Sequence, residues 1–99
     1  MPSNQPRPFT IDIAQGDLDD LKARLARTRL PEKETVDDWE QGIPLDYVKD
    51  LAAYWAGDYD WRRCEARLNA LPNFLIEIDG VDIHFIHVRS ENPDARPLL

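Results

Sequence analysis

The stretch YWAGDYDWRRCEARLNALPNF, residues 54–74, contains two of the three tryptophans, two of the three tyrosines and the only cysteine of this 99-residue chain. Because aromatic side chains bury the largest apolar areas, the fold is expected to be organised around it. One helix is predicted to end near Trp55. Another is predicted to begin near Asp60, whose side-chain oxygen can cap its first turn. The stretch indicates a packing and docking surface and shows no evident reaction centre.

Length and composition limit the chain to one modest soluble domain. The sequence is 42% hydrophobic and 31% charged, with a formal net charge of −7. Nucleic acid and anionic membrane surfaces are disfavoured as partners, because both need clustered Lys and Arg. A single cysteine fits a reducing compartment, and neither a signal peptide nor a membrane-spanning segment is evident. A cytoplasmic protein is therefore predicted.

The N-terminal third is predicted to be an extended arm followed by a helix. Residues 1–8 contain three prolines, and Phe9–Ile13 alternates apolar and polar residues, as a short strand or a surface-bound extended segment does. Residues 15–29 then place leucines on one stripe of a helix that Pro31 stops. Three carboxylates open this helix, namely Asp17, Asp19 and Asp20. A metal or acid–base site is one reading of them, but a solvated first turn that complements the helix dipole explains them more simply.

A second helix is predicted to begin with Pro44 at its first position and to end at Gly57. Its main apolar stripe is expected to contain Leu45, Val48, Leu51, Ala52 and Trp55. Tyr47 and Tyr54 lie seven residues apart and so share a second face. In the acidic loop before this helix, Trp39 is expected to be a buried-type anchor rather than a platform on which a ligand stacks.

The third helix is predicted to run from Asp60 to Pro72 with Trp61, Cys64 and Leu68 on its inner stripe. The charged residues of this helix are expected to point outward or sideways; they are Arg62, Arg63, Glu65 and Arg67. Cys64 is a possible nucleophile by residue type. A catalytic thiol needs a base and an electropositive setting, however, so its place on an apolar stripe favours a packing role.

A β-hairpin is predicted after Pro72, since the apolar period becomes two and Asp79-Gly80 is a two-residue turn signal. The second strand is expected to end near Val88. His84 and His87 differ by an odd number, so a regular strand points them to opposite faces and they cannot share one metal.

Residues 96–99 resemble the beginning of a third strand at the point where the sequence stops. A strand of two apolar residues has nothing to pair with, so the sequence is expected to be truncated. The residues alone therefore predict an α+β fragment of three helices plus a β-hairpin.

Several ordered motifs closely resemble the N-terminal region of epoxide hydrolases of the microsomal and juvenile-hormone type, with bacterial members nearest in character. The resemblance covers nearly the whole chain from Phe9 to Leu99. Its motifs are Pro44-Leu45-Asp46-Tyr47, Tyr54-Trp55, Tyr59-Asp60-Trp61-Arg62, Leu68-Asn69, Pro72, Phe74, and the continuous run from Ile78 to Val88.

The resemblance implies a non-catalytic segment. Residues 1–72 would be a helical extension that wraps an α/β-hydrolase core and its lid, and residues 73–99 would be the first strands of an incomplete α/β-hydrolase domain. The family opens epoxides with an aspartate nucleophile, a histidine-activated water and lid tyrosines. All of these would follow Leu99, so no catalytic, cofactor-binding or metal residue is assigned here. Tyr47, Tyr54 and Tyr59 do not match the lid tyrosines, and His84 and His87 match a strand motif.

Two functions follow from these expectations. The first is the N-terminal portion of an epoxide hydrolase, an enzyme of detoxification, inactive until joined to the rest of the core. The second is a stand-alone interaction module that docks on a hydrolase or self-associates. An independent small enzyme is set aside, since no nucleophile and base occur together. The raw apolar ending favours the first, because a protein evolved to stand alone protects such an edge.

Overall fold

The computed structural model describes residues 4–99 and contains three helices and a three-stranded antiparallel sheet. This confirms the predicted three helices and hairpin. The elements are β1 (Arg7–Pro8), α1 (Gln15–Ala26), α2 (Leu45–Ala56), α3 (Trp61–Asn69), β2 (Asn73–Ile78) and β3 (Val81–Ile86). The beginning of the predicted proline-rich arm, residues 1–3, lies outside the described residues. None of the helices within residues 4–99 is long and apolar enough to cross a bilayer.

The chain forms two compact units that do not follow its order. One unit is Ile13–Asp60 and holds α1 and α2. The other combines the residues up to Asp12 with Trp61–Leu99, and so holds α3 and the whole sheet. The predicted domain boundary, with a helical extension over residues 1–72 and the first hydrolase strands over residues 73–99, is a separate matter and stays a prediction.

Helix α1 is shorter than predicted, because it ends at Ala26 instead of Arg29. Thr28 accounts for the early end: its hydroxyl donates to the carbonyl oxygen of Leu25 at 2.8 Å, a local bond that competes with helix continuation. Of the predicted dipole-complementing charges, Asp17 lies in the first turn and Arg24 in the last. The predicted leucine stripe is half-buried, and α1 packs against α2.

Helix α2 begins one residue later than predicted, with Pro44 at the N-cap position. A proline has no side-chain oxygen with which to cap, and the carboxylate of Glu34 does this work from the preceding loop. Its Oε2 accepts from the backbone N–H of Leu45 at 2.9 Å. Gly57 is the C-cap, as predicted, but its φ of −105° lies outside the left-handed region.

The predicted stripe on α2 divides into two faces. Leu45, Val48 and Ala52 are half-buried, as the periodicity predicted, and face the interior of their unit. Leu51 and Trp55 of the same stripe are 52% and 45% exposed, in agreement with the apolar outer surface that a docking segment is expected to have. They lie beside Tyr47 and Tyr54, which are equally exposed. A helix packed on one neighbour can bury only one face, and α2 carries apolar residues on two.

The hairpin forms as Asp79-Gly80 predicts. Asp79 has a φ of 51° and Gly80 a φ of 81°, the two positive values that a tight hairpin turn needs. Strands β2 and β3 pair from Asn73↔Ile86 to Ile78↔Val81. Strand β3 therefore ends at Ile86, two residues before the predicted end.

The third strand comes from the N-terminal arm and not from Leu98-Leu99. Arg7 pairs with Leu75 and Pro8 with Phe74, so β1 lies antiparallel beside β2. Of the two predictions for Phe9–Ile13, a short strand or an extended segment along a surface, the structure agrees with the second. No strand is assigned there, and the N–H groups of Phe9 and Ile11 donate to Asn73 and Asn69. Leu98 and Leu99 are fully exposed and lie in no strand, since neither pairs with a described residue.

The described residues contain no buried apolar side chain. The two buried residues are polar: Glu65 is 8% exposed and Asn73 is 4% exposed. Glu65 was predicted to point outward or sideways, and this was wrong. The half-buried stripe of α3, with Trp61, Cys64 and Leu68, agrees with the predicted inner face.

Candidate functional site

The three aspartates that open α1 do not form a site. Asp19 accepts from the side chain of Gln15 at 2.9 Å, and Asp20 pairs with Arg24 at 2.8 Å, one helical turn away. Both pairs are exposed, where an ion pair contributes about 0 to 1 kcal/mol. Within the part of the chain that the structure describes, no three His, Cys, Asp or Glu side chains are grouped as a metal ion would need.

The aromatic candidates make ring contacts with one another. Trp39 is 58% exposed, so the expectation of a buried-type anchor was wrong. Its ring meets that of Tyr47 edge to face, with the centroids 5.3 Å apart. Tyr54 meets Tyr59 at 6.0 Å. These contacts lie within the unit formed by Ile13–Asp60, and they extend the exposed apolar face of α2.

The two histidines point to opposite faces of the sheet, as the odd spacing predicted. His84 Nε2 lies 2.9 Å from Oδ1 of Asn73, and its ring meets that of Phe9 edge to face at 5.0 Å. His87 lies on the other side, beside Phe74 and Phe85. Cys64 is a half-buried free thiol.

Asn73 joins the end of α3 to the sheet. Its Nδ2 donates to the carbonyl oxygens of Leu68 and Leu71 at 2.8 and 2.7 Å, and its Oδ1 contacts His84. Its own carbonyl oxygen accepts from the N–H of Phe9 at 2.9 Å. The buried side-chain amide of Asn73 thus satisfies one carbonyl in the last turn of α3 and one in the turn that follows, while its residue links two strands.

Asn69 fixes the arm that follows β1. Its Oδ1 accepts from the N–H of Ile11 at 2.9 Å, and its Nδ2 donates to the carbonyl oxygen of Ile11 at 2.8 Å. A side-chain amide that binds both polar groups of one residue imitates a strand pairing. We call Asn69 and Asn73 together the asparagine pair.

Glu65 is held by residues of its own helix. Trp61 Nε1 donates to its Oε2 at 3.1 Å, and Arg62 pairs with its Oε1 at 2.7 Å. A carboxylate is buried at low cost only where such donors replace water. These contacts indicate that Glu65 orients the side chains of Trp61 and Arg62 within α3.

The two faces of the sheet differ in chemistry. Alternation along the paired strands places six apolar side chains on one face: Phe74, Ile76, Ile78, Val81, Ile83 and Phe85. Ile78, Val81 and Ile83 are 51%, 59% and 42% exposed. We call this set the apolar face. The opposite face is mixed and carries His84 and the Arg7–Asp82 ion pair.

A groove continues the apolar face at the end of the sheet where β2 begins. It has a volume of about 410 Å³ and is lined by Pro6, Pro72, Phe74, Phe85, His87 and Arg89. The rings of Phe74 and Phe85 are stacked with centroids 5.6 Å apart and an angle of 28° between planes. The apolar face and this groove together form a partly exposed apolar surface.

The sequence did not single out the asparagine pair, Glu65 or Glu34. Asparagine near a proline is typical of a helix end or turn, which identifies the position but not its partner. The available signal was the spacing of Asn69 and Asn73 around Leu71-Pro72, at the junction between a predicted helix and a predicted strand.

Comparison with protein families gives one matching model, the epoxide hydrolase N terminus, over residues 6–99. A Stigmatella aurantiaca protein, provisionally named an epoxide hydrolase, is 52% identical over 93% of this chain. Pig epoxide hydrolase 1 is 34% identical over 94%. The chain spans about a fifth of the length of these relatives, 21% in each case.

Solved structures agree with the sequence relatives. Aspergillus niger epoxide hydrolase matches 92% of this chain at a TM-score of 0.80 and 36% identity. Its enantioselective mutant, generated by directed evolution, matches 95% at the same score. The chain covers 24% and 26% of these structures. No comparison supports a stand-alone interaction module.

Proposed function

Because the chain belongs to the epoxide hydrolase N-terminus family, we propose that it serves as the non-catalytic N-terminal part of an epoxide hydrolase. In this role it wraps and stabilises the hydrolase core and lid. The complete enzyme would hydrolyse epoxides to vicinal diols. The observation that carries the proposal is the match over residues 6–99 to a family defined by the N terminus of these enzymes.

The surface supports this role. No apolar side chain among residues 4–99 is buried, whereas the apolar face and the outer face of α2 are open. Covering a fully exposed Val, Leu or Ile side chain stabilises a protein by about 1.5 to 3 kcal/mol, so half-exposed ones gain about 1 kcal/mol each. The partner is the remainder of an α/β-hydrolase, with self-association as the second candidate. Nucleic acid and membranes are not proposed as partners.

The chemistry is assigned to the rest of the enzyme. An aspartate nucleophile, a histidine base and an oxyanion loop would come from the remaining polypeptide, and the present chain would keep them in place. A cytoplasmic site and a role in detoxification belong to the same proposal. The half-buried free thiol of Cys64 is compatible with a reducing compartment, and epoxides are electrophiles that modify nucleophilic side chains.

A chimera tests the proposal. In Aspergillus niger epoxide hydrolase, the segment that aligns with this chain is replaced by residues 6–99, and diol formation from an aryl epoxide is measured. The control is the same enzyme with a Gly/Ser linker of equal length in place of the segment. We expect the chimera to be soluble and to hydrolyse epoxide, while the linker protein loses both properties. Equal behaviour of the two proteins, or an inactive chimera, would contradict the proposal.

The DNA downstream of the Leu99 codon gives an independent test. We expect an in-frame continuation that encodes a His-Gly-X-Pro oxyanion loop and, later, an aspartate on a strand-to-helix elbow. A stop codon with no such reading frame nearby would instead favour the stand-alone module.

A further inference from the structure

The groove at the end of the sheet is a continuation of the apolar face with a cationic rim. Its floor is the stacked pair Phe74 and Phe85, and its walls include two prolines, which present rigid apolar rings. His87 and Arg89 complete the lining. Because the backbone N–H of His87 donates to the carbonyl oxygen of Pro72 at 3.1 Å, the rim is fixed to the start of β2.

Arg89 is exposed and lacks a partner among residues 4–99. Other arginines of this part of the chain do pair with carboxylates: Arg7 with Asp82, Arg24 with Asp20, and Arg62 with Glu65. Other arginines within residues 4–99, Arg96 among them, also lack a carboxylate partner, so what distinguishes Arg89 is its position in the lining of an apolar groove. A guanidinium at such a rim prefers a carboxylate, which it can bind through two parallel hydrogen bonds.

We propose that this groove is the docking site for an apolar side chain with a neighbouring carboxylate, both supplied by the rest of the hydrolase polypeptide. This inference rests on the proposed function and names the contact through which it acts. The apolar side chain covers Phe74 and Phe85, and the carboxylate pairs with Arg89. The site binds a segment of protein and performs no chemistry.

Two observations select the rest of the hydrolase as the occupant. First, the relatives are several times longer than this chain, which covers 21% of their length, so the family supplies a large further polypeptide. Second, the groove runs into the apolar face along Ile76 and Ile83, which an element lying on the sheet covers and a small molecule does not. A second copy is the competing occupant, and the dimerisation outcome below separates it from the rest of the hydrolase.

Charge reversal in the chimera tests the contact. We compare Arg89→Glu, Arg89→Lys and the matched control Arg96→Glu, which changes another exposed and unpaired arginine of the same C-terminal segment. Arg89→Glu is expected to lower the melting temperature by about 2 to 4 °C, the shift that corresponds to about 1 kcal/mol in a large domain. Arg89→Lys should retain most of the stability, and Arg96→Glu should match the unsubstituted chimera.

A second charge reversal, made in the hydrolase core, then locates the carboxylate that pairs with Arg89. Acidic residues of the core are changed to lysine one at a time in the Arg89→Glu background. We expect one of them to restore the melting temperature. If none does, or if Arg89→Glu behaves like Arg96→Glu in an active chimera, the inference is overturned while the proposed function stands.

Two further outcomes concern the occupant. If the 99-residue chain dimerises and Arg89→Glu abolishes the dimer, the occupant is a second copy and the inference is wrong. If the chimera folds but hydrolyses no epoxide, and Arg89→Glu has no effect, the proposed function and the inference fail together.

Discussion

Single polar side chains fix the ends of helices in this protein. Glu34 reaches from the loop before α2 to the N–H of Leu45, at the positive end of the helix dipole. This hydrogen bond lowers the pKa of Glu34 below 4.5, its ordinary value. The folded chain therefore binds a proton at Glu34 less readily than the unfolded chain does.

This difference predicts a pH dependence of α2. The stabilisation from Glu34 is complete above the unfolded pKa of 4.5 and is lost as the pH falls through the lowered pKa of the folded state. Glu34→Gln keeps an oxygen acceptor but has no charge to lose, so it should weaken the helix start at neutral pH and remove its acid sensitivity. The NMR shift of the Leu45 amide, followed from neutral pH to below pH 4, measures the effect.

Glu32→Gln is the matched control, because it removes a carboxylate from the same acidic loop. Its titration of the Leu45 amide should resemble that of the unsubstituted chain. An acid-induced change that survives in Glu34→Gln would show that another group controls the start of α2.

The roles of such residues could be only partly predicted from sequence. The prediction that His84 and His87 point to opposite faces was right, because strand alternation is a local rule. Asn73 and Glu65 were missed, because burial of a polar side chain depends on partners that periodicity does not reveal. For Asn73 those partners lie on α3 and β3, in separate elements.

The element most dependent on distant contacts is β1. It has two residues, too few to form a stable strand alone, and both are exposed. Strand β1 pairs with β2, and the residues after it are held by the hydrogen bonds between Asn69 and Ile11. The strand and this link together hold the arm.

Removing the link should release the arm. Asn69→Ala deletes both hydrogen bonds to Ile11, so the amide hydrogens of Phe9 and Ile11 should exchange with solvent faster while those of β3 keep their protection. Asn69→Asp keeps the acceptor but loses the donor, so its effect should be intermediate. Hydrogen exchange followed by NMR makes the measurement.

Asn92→Ala serves as the control, since the side chain of Asn92 accepts only from the backbone N–H of Asp94 in its own loop. It should leave exchange at Phe9 and Ile11 unchanged. Equal protection of Ile11 in Asn69→Ala and the unsubstituted chain would mean that β1 pairing alone holds the arm.

At the scale of elements, local signals predicted the helices and the hairpin, and non-local pairing was the source of error. The Asp79-Gly80 turn could be predicted because it depends only on these two adjacent residues, both of which adopt a positive φ. Leu98-Leu99 was assigned a strand because it is apolar, and Arg7–Pro8 was not because it contains proline. Proline is tolerated in an edge strand, and β1 lies at the edge of this sheet.

The whole molecule has more apolar surface than its own elements cover. The sheet has one apolar face, and large apolar residues on α2 are about half exposed. Contiguous surfaces of this kind are typical of interfaces. The resemblance to a known family also predicted that these surfaces form an interface, whereas composition alone predicted an ordinary soluble domain.

The isolated 99-residue chain should therefore self-associate or unfold easily. We expect sedimentation velocity to show an average mass that rises with concentration, and a hydrophobic dye to bind the folded chain. Val81→Lys and Ile83→Lys, which place charges on the apolar face, should lower both signals, while Glu77→Lys on the mixed face should not. A highly stable monomer at high concentration would contradict the proposed role.

The division into two units also sets an order of assembly during synthesis. Helices α1 and α2 can pack against each other as soon as residues 13–60 have emerged, because both helices lie within this continuous stretch. Strand β1 emerges before this unit but has to wait for its partner β2, which follows the unit in the sequence. A segment made before the helical unit is thus placed after it, and a growing chain leaves Arg7 and Pro8 unpaired until residues 74 and 75 have emerged.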